Sequence, residues 1–96
     1  MIDSLAATQD ARHLQVHWSN GETSRLAAED LRREARDAWS IRERLDHGAV
    51  HVAPGITITG LEQVGPAGVN VHFSDGHARA IYPFVYLREL SDRFDK

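Results

Sequence analysis

Leu14-Gln15-Val16-His17-Trp18-Ser19-Asn20-Gly21 and Val69-Asn70-Val71-His72-Phe73-Ser74-Asp75-Gly76 are two copies of one pattern, fifty-five residues apart. Leu14, Val16 and Trp18 alternate with Gln15 and His17, and Val69, Val71 and Phe73 alternate with Asn70 and His72. Alternation of period two is the mark of a strand with one face buried. Asn20-Gly21 and Asp75-Gly76 then signal tight hairpins, read as type I′ turns with φ > 0 at both central residues. The returning strands fall at 22–26 and 77–82. Each copy runs on to a helix start carrying Leu-Arg, at Leu31-Arg32 and Leu87-Arg88. The unit is a hairpin followed by a helix, used twice.

The first helix is expected to begin near Ala28, with Glu29 and Asp30 in the first turn where carboxylates suit the dipole. Leu31, Ala35, Ala38 and then Ile41 or Leu45 supply an apolar stripe at helical spacing. In the second helix Pro83 suits the first position, and Phe84, Leu87, Leu90 or Ser91, and Phe94 share the inner face. Between the units lies a looser, Gly-containing stretch. There Ile56-Thr57-Ile58-Thr59 reads as one further strand, and Gly60, Gly65, Pro66 and Gly68 mark turns around Leu61 to Val64. The expected fold is α+β: an antiparallel sheet of about five strands with two helices on one face. Residues 1–11 are set apart as an N-terminal segment that can be mobile, and residues 12–96 form the single domain.

Composition removes several function classes. Eleven Lys+Arg face fourteen Asp+Glu, for a net charge of −3, so the basic surplus of a nucleic-acid domain is missing. Arg32, Arg33, Arg36, Arg42 and Arg44 crowd one segment but alternate with Glu29, Asp30, Glu34, Asp37 and Glu43, which reads as a solvated, salt-bridged helix face. With no cysteine, disulfides, thiolate nucleophiles and cysteine-held metals are excluded for this chain. No apolar run approaches a membrane span. Met1 to Asp10 lacks the basic and apolar regions of a signal peptide, so a cytoplasmic location is expected.

Phe73-Ser74-Asp75-Gly76-His77, Ile81-Tyr82 and Tyr86-Leu87-Arg88-Glu89-Leu90 resemble the closing signature of the γ-butyrobetaine hydroxylase-like N-terminal domain family. Val16 to Gly21 and Leu31-Arg32 resemble its opening signature. With Ile56-Thr57-Ile58, Leu61-Glu62 and Val64-Gly65, the resemblance spans nearly the whole chain from about residue 12. It implies a small bacterial stand-alone member, a domain of unknown function. The same unit precedes the catalytic domain of carnitine-pathway 2-oxoglutarate dioxygenases and accompanies P-loop iron–sulfur scaffold proteins. In the dioxygenases the resemblance implies a structural zinc, held by three cysteines after the first Leu-Arg and by the histidine of the second hairpin. Here those cysteine positions fall near Ala35, Asp37 and Ser40, and only His77 survives. Zinc wants about four Cys, His or carboxylate ligands, so no metal is expected, with His77 and Asp37 as residual candidates. Arg33-Glu34-Ala35-Arg36-Asp37-Ala38 instead suits a longer helix, stabilised by packing of Trp39 and Ile41.

The remaining candidates are weighed singly. His77 reads first as a turn histidine bonded to nearby backbone, and second as a residual ligand or partner-binding residue. His17 and His72 occupy equivalent places and could meet if their strands are neighbours. His47 and His51 are four apart but Gly48 argues against one helix, leaving a solvent-exposed pair. No catalytic residue and no cofactor-binding residue is assigned. Asp75 beside His77 has no patterned nucleophile, phosphate loops and nucleophile-elbow motifs are missing, and the chain is too short for an iron dioxygenase barrel. Tyr86 and Trp39, off or at the edge of the stripes, are the better interface aromatics. The expectation is a non-catalytic, metal-free accessory or protein-interaction domain with partner-binding candidates His77, Asp75, Tyr86 and Trp39. The alternative is a metal-handling protein linked to iron–sulfur cluster assembly, using His77 and Asp37. A protein partner is expected, no nucleic acid and no membrane, and the oligomeric state is open.

Overall fold

The computed structural model describes residues 2–95, so Met1 and Lys96 of the ranges above lie outside the described residues. The elements follow in the order β1 (Ile2–Ala7), β2 (His13–Trp18), β3 (Thr23–Ala27), α1 (Ala28–Arg33), α2 (Ala38–His47), β4 (Ile58–Val64), β5 (Gly68–Phe73), β6 (Ala80–Pro83) and α3 (Phe84–Phe94). The class is α+β. The strands form two antiparallel sheets of three, β1-β2-β3 and β4-β5-β6, and not one sheet of about five.

The repeat is larger than the alternating stretches. Each hairpin carries a third strand on its N-terminal side. In the first unit Ile2 pairs with Trp18 and Leu5 with Val16; in the second Ile58 pairs with Phe73 and Leu61 with Val71. A bulge sits at the same place in both, between Ile2 and Ser4 and between Ile58 and Gly60. One extra residue shifts the side-chain phase, so Ile2 and Leu5, like Ile58 and Leu61, reach the core at a spacing of three. That hides both strands from a period-two reading. Residues 2–7 therefore belong to the folded unit, and the further strand expected at Ile56-Thr57-Ile58-Thr59 runs instead from Ile58 through Gly60 to Val64. The helix starts are tied identically: Ala28 N–H donates to Arg12 O at 2.7 Å, and Phe84 N–H to Ala67 O at 2.8 Å.

Both hairpins close with three-residue loops. Gly21 N–H donates to Trp18 O and Trp18 N–H to Glu22 O, at 3.0 and 2.8 Å; Gly76, Phe73 and His77 repeat this at 3.0 and 2.9 Å. Gly21 and Gly76 take φ of +90° and +88°, whereas Asn20 and Asp75 keep negative φ. A left-handed glycine bulge thus replaces the expected type I′ turn. Asn20 Oδ1 accepts from Glu22 N–H at 3.0 Å and Asp75 Oδ1 from His77 N–H at 2.8 Å, and these local bonds hold the wider loop.

One apolar cluster joins the units. Leu14, Val16, Trp18 and Leu26 of the first sheet meet Val69, Val71, Phe73 and Tyr82 of the second, with Leu31, Leu87 and Leu90 from the helices. Burying each large side chain is worth about 1.5–3 kcal/mol. α3 packs on β3 and β6, so the second unit's helix reaches across to the first unit's sheet. There a polar pair enters the core: Trp18 Nε1–H donates to Ser24 Oγ at 2.8 Å, and Ser24 Oγ lies 2.5 Å from Ser91 Oγ. Phe94, expected on the inner face of α3, is 40% exposed at the last residue of the helix.

The two helices diverge where α1 stops. α3 runs unbroken for eleven residues, but α1 ends after six and α2 begins in a new direction. The single long helix expected through residues 33–38 does not form. Asp37 caps α2, its side chain accepting from Ser40 N–H. Trp39, Ile41 and Leu45, expected to pack inward, lie on the solvent side of α2, with Trp39 67% and Leu45 79% exposed.

Candidate partner-binding site

The break between α1 and α2 is held by side chains from distant elements. A helix end leaves carbonyls without intrahelical partners, and here each finds a donor. Tyr82 Oη–H bonds Leu31 O, and Tyr86 Oη–H bonds Glu34 O at 2.6 Å. Arg44 sends one guanidinium nitrogen to Arg33 O at 2.9 Å and the other to Ala35 O. The two tyrosine rings stack at 6.2 Å, and the Arg36 guanidinium covers Tyr86 at 3.6 Å from the ring centre. Burial pushes both phenols above their ordinary value, so they remain hydroxyl donors at every relevant pH.

Beside this junction a closed circuit of hydrogen bonds links α1, α2 and the second hairpin. His77 Nε2 lies 3.0 Å from Asp37 Oδ1. A carboxylate can only accept, which assigns the proton to Nε2. Asp37 also takes Ser40 Oγ–H at 2.8 Å and Ser40 N–H at 3.1 Å. Ser40 Oγ in turn accepts from Arg32 at 3.0 Å. Arg32 Nε–H donates to Asp75 Oδ2 at 3.0 Å, and Asp75 returns to His77 through its backbone N–H. The Arg32 side chain is 5% exposed, and those of Asp37 and His77 are 8% and 9% exposed. Burial raises the Asp37 pKa, but hydrogen bonds from Ser40 and His77 outweigh it, and the carboxyl ends below its ordinary value. Ser40, Asp37 and His77 do not make a nucleophile: the hydroxyl points to the carboxylate and not to the imidazole that would have to deprotonate it.

The circuit fixes α2 with Trp39 turned outward. Trp39 and Arg79 form the shared wall of two adjoining depressions. The larger, about 700 Å³, is completed by Ala38, Arg42, Glu43, Asp46 and His47. The smaller, about 220 Å³, runs over Gly76, His77 and Ala78 at the hairpin tip.

Of the four partner-binding candidates, Trp39 lies at the centre of this groove and His77 on its floor. Asp75 is engaged with Arg32. Tyr86 is a correction: it is 5% exposed, its ring is packed and its hydroxyl is committed to Glu34, so it presents no anchor. His77 as a turn histidine bonded to nearby backbone also needs correcting, since its imidazole bonds the Asp37 side chain. His17 and His72 sit on strands of different sheets; His17 faces Thr23 at 3.4 Å and His72 faces Glu62 at 3.0 Å. His47 and His51 are exposed, with rings 6.3 Å apart, and His51 leans on Glu43. Two contributors escaped the sequence reading. Arg32 looked like part of a solvated basic face and is buried, while Arg79 carried no pattern; Asp37 spaced three before Ser40 was a usable cap signal.

Comparison with known proteins follows from this architecture. Residues 5–88 match the family model described as γ-butyrobetaine hydroxylase-like, N-terminal. The chain belongs to this family. A γ-butyrobetaine hydroxylase-like N-terminal domain is therefore what the two sheets and three helices build. Its fold is similar to that of a crystallised protein of unknown function from Acidithiobacillus ferrooxidans, assigned to the DUF971 family. The two are 28% identical with a TM-score of 0.74, over 94% of this chain and 91% of that one. A protein solved by NMR is 26% identical with a TM-score of 0.76, over 96% of this chain and 69% of that one. A second NMR structure, 21% identical with a TM-score of 0.72 over 99% and 75% of the chains, shares the fold. No curated protein matches the chain. Among the described residues no helix is long and apolar enough to cross a membrane.

Family membership makes the zinc question concrete. Of the positions that the resemblance aligns with zinc ligands, Asp37, Ser40 and His77 come together, but with the wrong donors. Ala35 has none, Ser40 spends its proton on Asp37, and Asp37 and His77 are bonded to each other. Among the described residues no group of three or more His, Cys, Asp or Glu side chains is placed to hold a metal ion. Two donors do not meet the tetrahedral demand of structural zinc.

Proposed function

We propose that this domain is a non-catalytic protein-interaction module, a variant of its family that works without metal, whose contact surface is the groove around Trp39. The observation that carries the reading is an indole 67% exposed on a helix anchored at its N-terminus by a buried circuit. Ordering a large side chain costs entropy on binding, and a helix already fixed in place reduces that cost. Tryptophan is also among the residues that dominate interface energetics. The circuit contributes rigidity in the place where relatives with cysteines have a metal. Its hydroxyl is misdirected for catalysis, which supports a non-enzymatic role. The test is a photo-reactive amino acid at position 39 in cells, with position 63 on β4 as control. A defined cross-linked protein from position 39 alone is expected. Identical patterns from both positions, or turnover of a small molecule by the purified domain, would overturn the reading.

A second reading, metal handling linked to iron–sulfur cluster assembly, rests on the 3.0 Å approach of His77 to Asp37. It requires a third ligand from outside the chain. Elemental analysis of the purified protein tests it, and stoichiometric zinc, iron or nickel would favour it over the first.

A further inference from the structure

We infer that the groove takes a peptide segment of a partner that places a carboxylate on Arg79 and an apolar side chain on Trp39. This rests on the interaction reading above and adds the chemistry of the partner.

The walls of the larger depression carry Arg42 and Arg79 with Glu43 and Asp46. Glu43 accepts from the His51 backbone N–H at 3.0 Å and faces its imidazole at 3.4 Å. Asp46 faces Arg42 at 3.4 Å. Both carboxylates of the larger depression are thus engaged within the chain. Arg79, between the two depressions, has no hydrogen bond or ion pair among the described residues, unlike Arg32, Arg33, Arg36, Arg88 and Arg93. A cation left without a carboxylate beside an exposed indole complements an anion carrying an apolar group.

The first hairpin supplies an internal comparison. A hollow beside that hairpin is lined by Trp18, Ser19, Asn20, Phe84, Val85 and Arg88. Arg88 is already held by Glu22 at 3.1 Å and Asp92 at 3.4 Å, so that hollow has no charge to offer. Trp18 is buried beneath it. Of the two hollows, only the one beside the second hairpin combines an exposed aromatic with an arginine that has no ion pair among the described residues. A phosphate polymer does not fit: the groove offers Arg42 and Arg79 beside Glu43 and Asp46, and a chain of net charge −3 makes no track for a backbone whose affinity comes from many neutralised phosphates.

The test is an amide and indole N–H chemical-shift titration of the intact protein with two synthetic dodecapeptides, repeating Glu-Leu-Ser and repeating Lys-Leu-Ser. The acidic peptide should produce saturable shifts at the Trp39 indole N–H, Arg42, His47 and the 76–80 backbone, weakening with salt, and the basic peptide none there. Arg79→Glu should weaken the acidic peptide about tenfold and let the basic one bind. Both Arg79→Glu and Trp39→Ala alter exposed side chains, and their unperturbed spectra elsewhere will report an intact fold. Equal binding of both peptides would overturn the charge assignment while leaving the interaction surface standing. Shifts confined to the Trp18–Val85 hollow, or no saturable shift with either peptide, would overturn the proposal; cross-linking from position 39 judges the interaction reading separately.

Discussion

Replacing Asp75 by Ala should destabilise the domain far more than replacing Asn20 by Ala, although the two residues occupy the same position of the repeat. Each accepts a local backbone bond in its hairpin, from His77 at 2.8 Å and from Glu22 at 3.0 Å. That shared contribution is about 0.5–1.5 kcal/mol. Asp75 alone also faces a guanidinium, Arg32 at 3.0 Å, whose side chain is 5% exposed. Stripping one partner from a buried pair costs about 3–5 kcal/mol. The Asp75 side chain is 23% exposed, so water can partly replace it, and about 2–3 kcal/mol is the fair figure for this term. Asp75→Ala should therefore cost about 3–4 kcal/mol and Asn20→Ala about 1. In a domain of this size the first lowers Tm by about 12–30 °C and the second by less than about 8 °C. Asp75→Asn should fall between, keeping the turn bond and losing the charge. Urea unfolding of the three variants, read by tryptophan fluorescence and by circular dichroism, measures the differences. If Asp75→Ala costs no more than Asn20→Ala within about 0.5 kcal/mol, the buried circuit is not what holds α2 to the second hairpin.

Tyr86→Phe should cost about 1–3 kcal/mol in the same assay, because it leaves the Glu34 carbonyl without its donor while keeping the ring. Trp39→Ala should change stability by no more than about 0.5 kcal/mol, since the side chain is largely in solvent; a larger loss would mean the indole is structural. Because the folded Asp37 pKa lies below its ordinary 3.8, its ionised form stabilises the fold above the unfolded value and the contribution is lost as pH falls through the lowered one. Asp37→Asn should accordingly be less stable than the parent near neutral pH, with the gap closing under acid; a gap that does not depend on pH would show that the charge contributes nothing. Excess EDTA should leave Tm unchanged, and a fall of several degrees would reveal a metal within the fold.

Much of this architecture can be read from Leu14 to Gly21 and its copy, because alternation and Asn-Gly or Asp-Gly grammar are local signals. The parts that escaped are those where geometry is set at a distance. The bulges in β1 and β4 put Ile2 with Leu5, and Ile58 with Leu61, at a spacing of three, so β1 gave no alternation and β4 was visible only at its first residues. Glu34, Ala35 and Arg36 all favour helix. They leave it because Tyr82, Tyr86 and Arg44 take the carbonyls there, and those donors lie 51, 52 and 9 residues away. In the site, His77 and Asp37 were legible as positions aligned with metal ligands. Their bond to each other was not, since it depends on where the helix breaks. Arg32 was hidden by its neighbours: five arginines among five acids look solvated, and only the fold separates the one that is buried.

The two arginines of the repeat explain why the halves do not stand apart. Arg32 in the first unit's helix reaches the turn of the second hairpin, and Arg88 in the second unit's helix reaches Glu22 just past the turn of the first. Each helix thus closes the other unit's hairpin, and the core beneath is continuous across both. From this common plan the halves depart in one respect, the insertion of α2 after α1. Where α2 docks, the crossed arginine gains Ser40 as a second partner and becomes buried; where no helix docks, Arg88 stays at the surface and is matched by Glu22 and Asp92. The inserted helix needed something to hold its start, and Asp37, Ser40 and His77 do so with hydrogen bonds at positions a metal could otherwise have joined. Its outer face was then free of any packing duty. The exposed indole of Trp39 on that face, beside Arg79, is the ground on which we propose it as the contact for a partner.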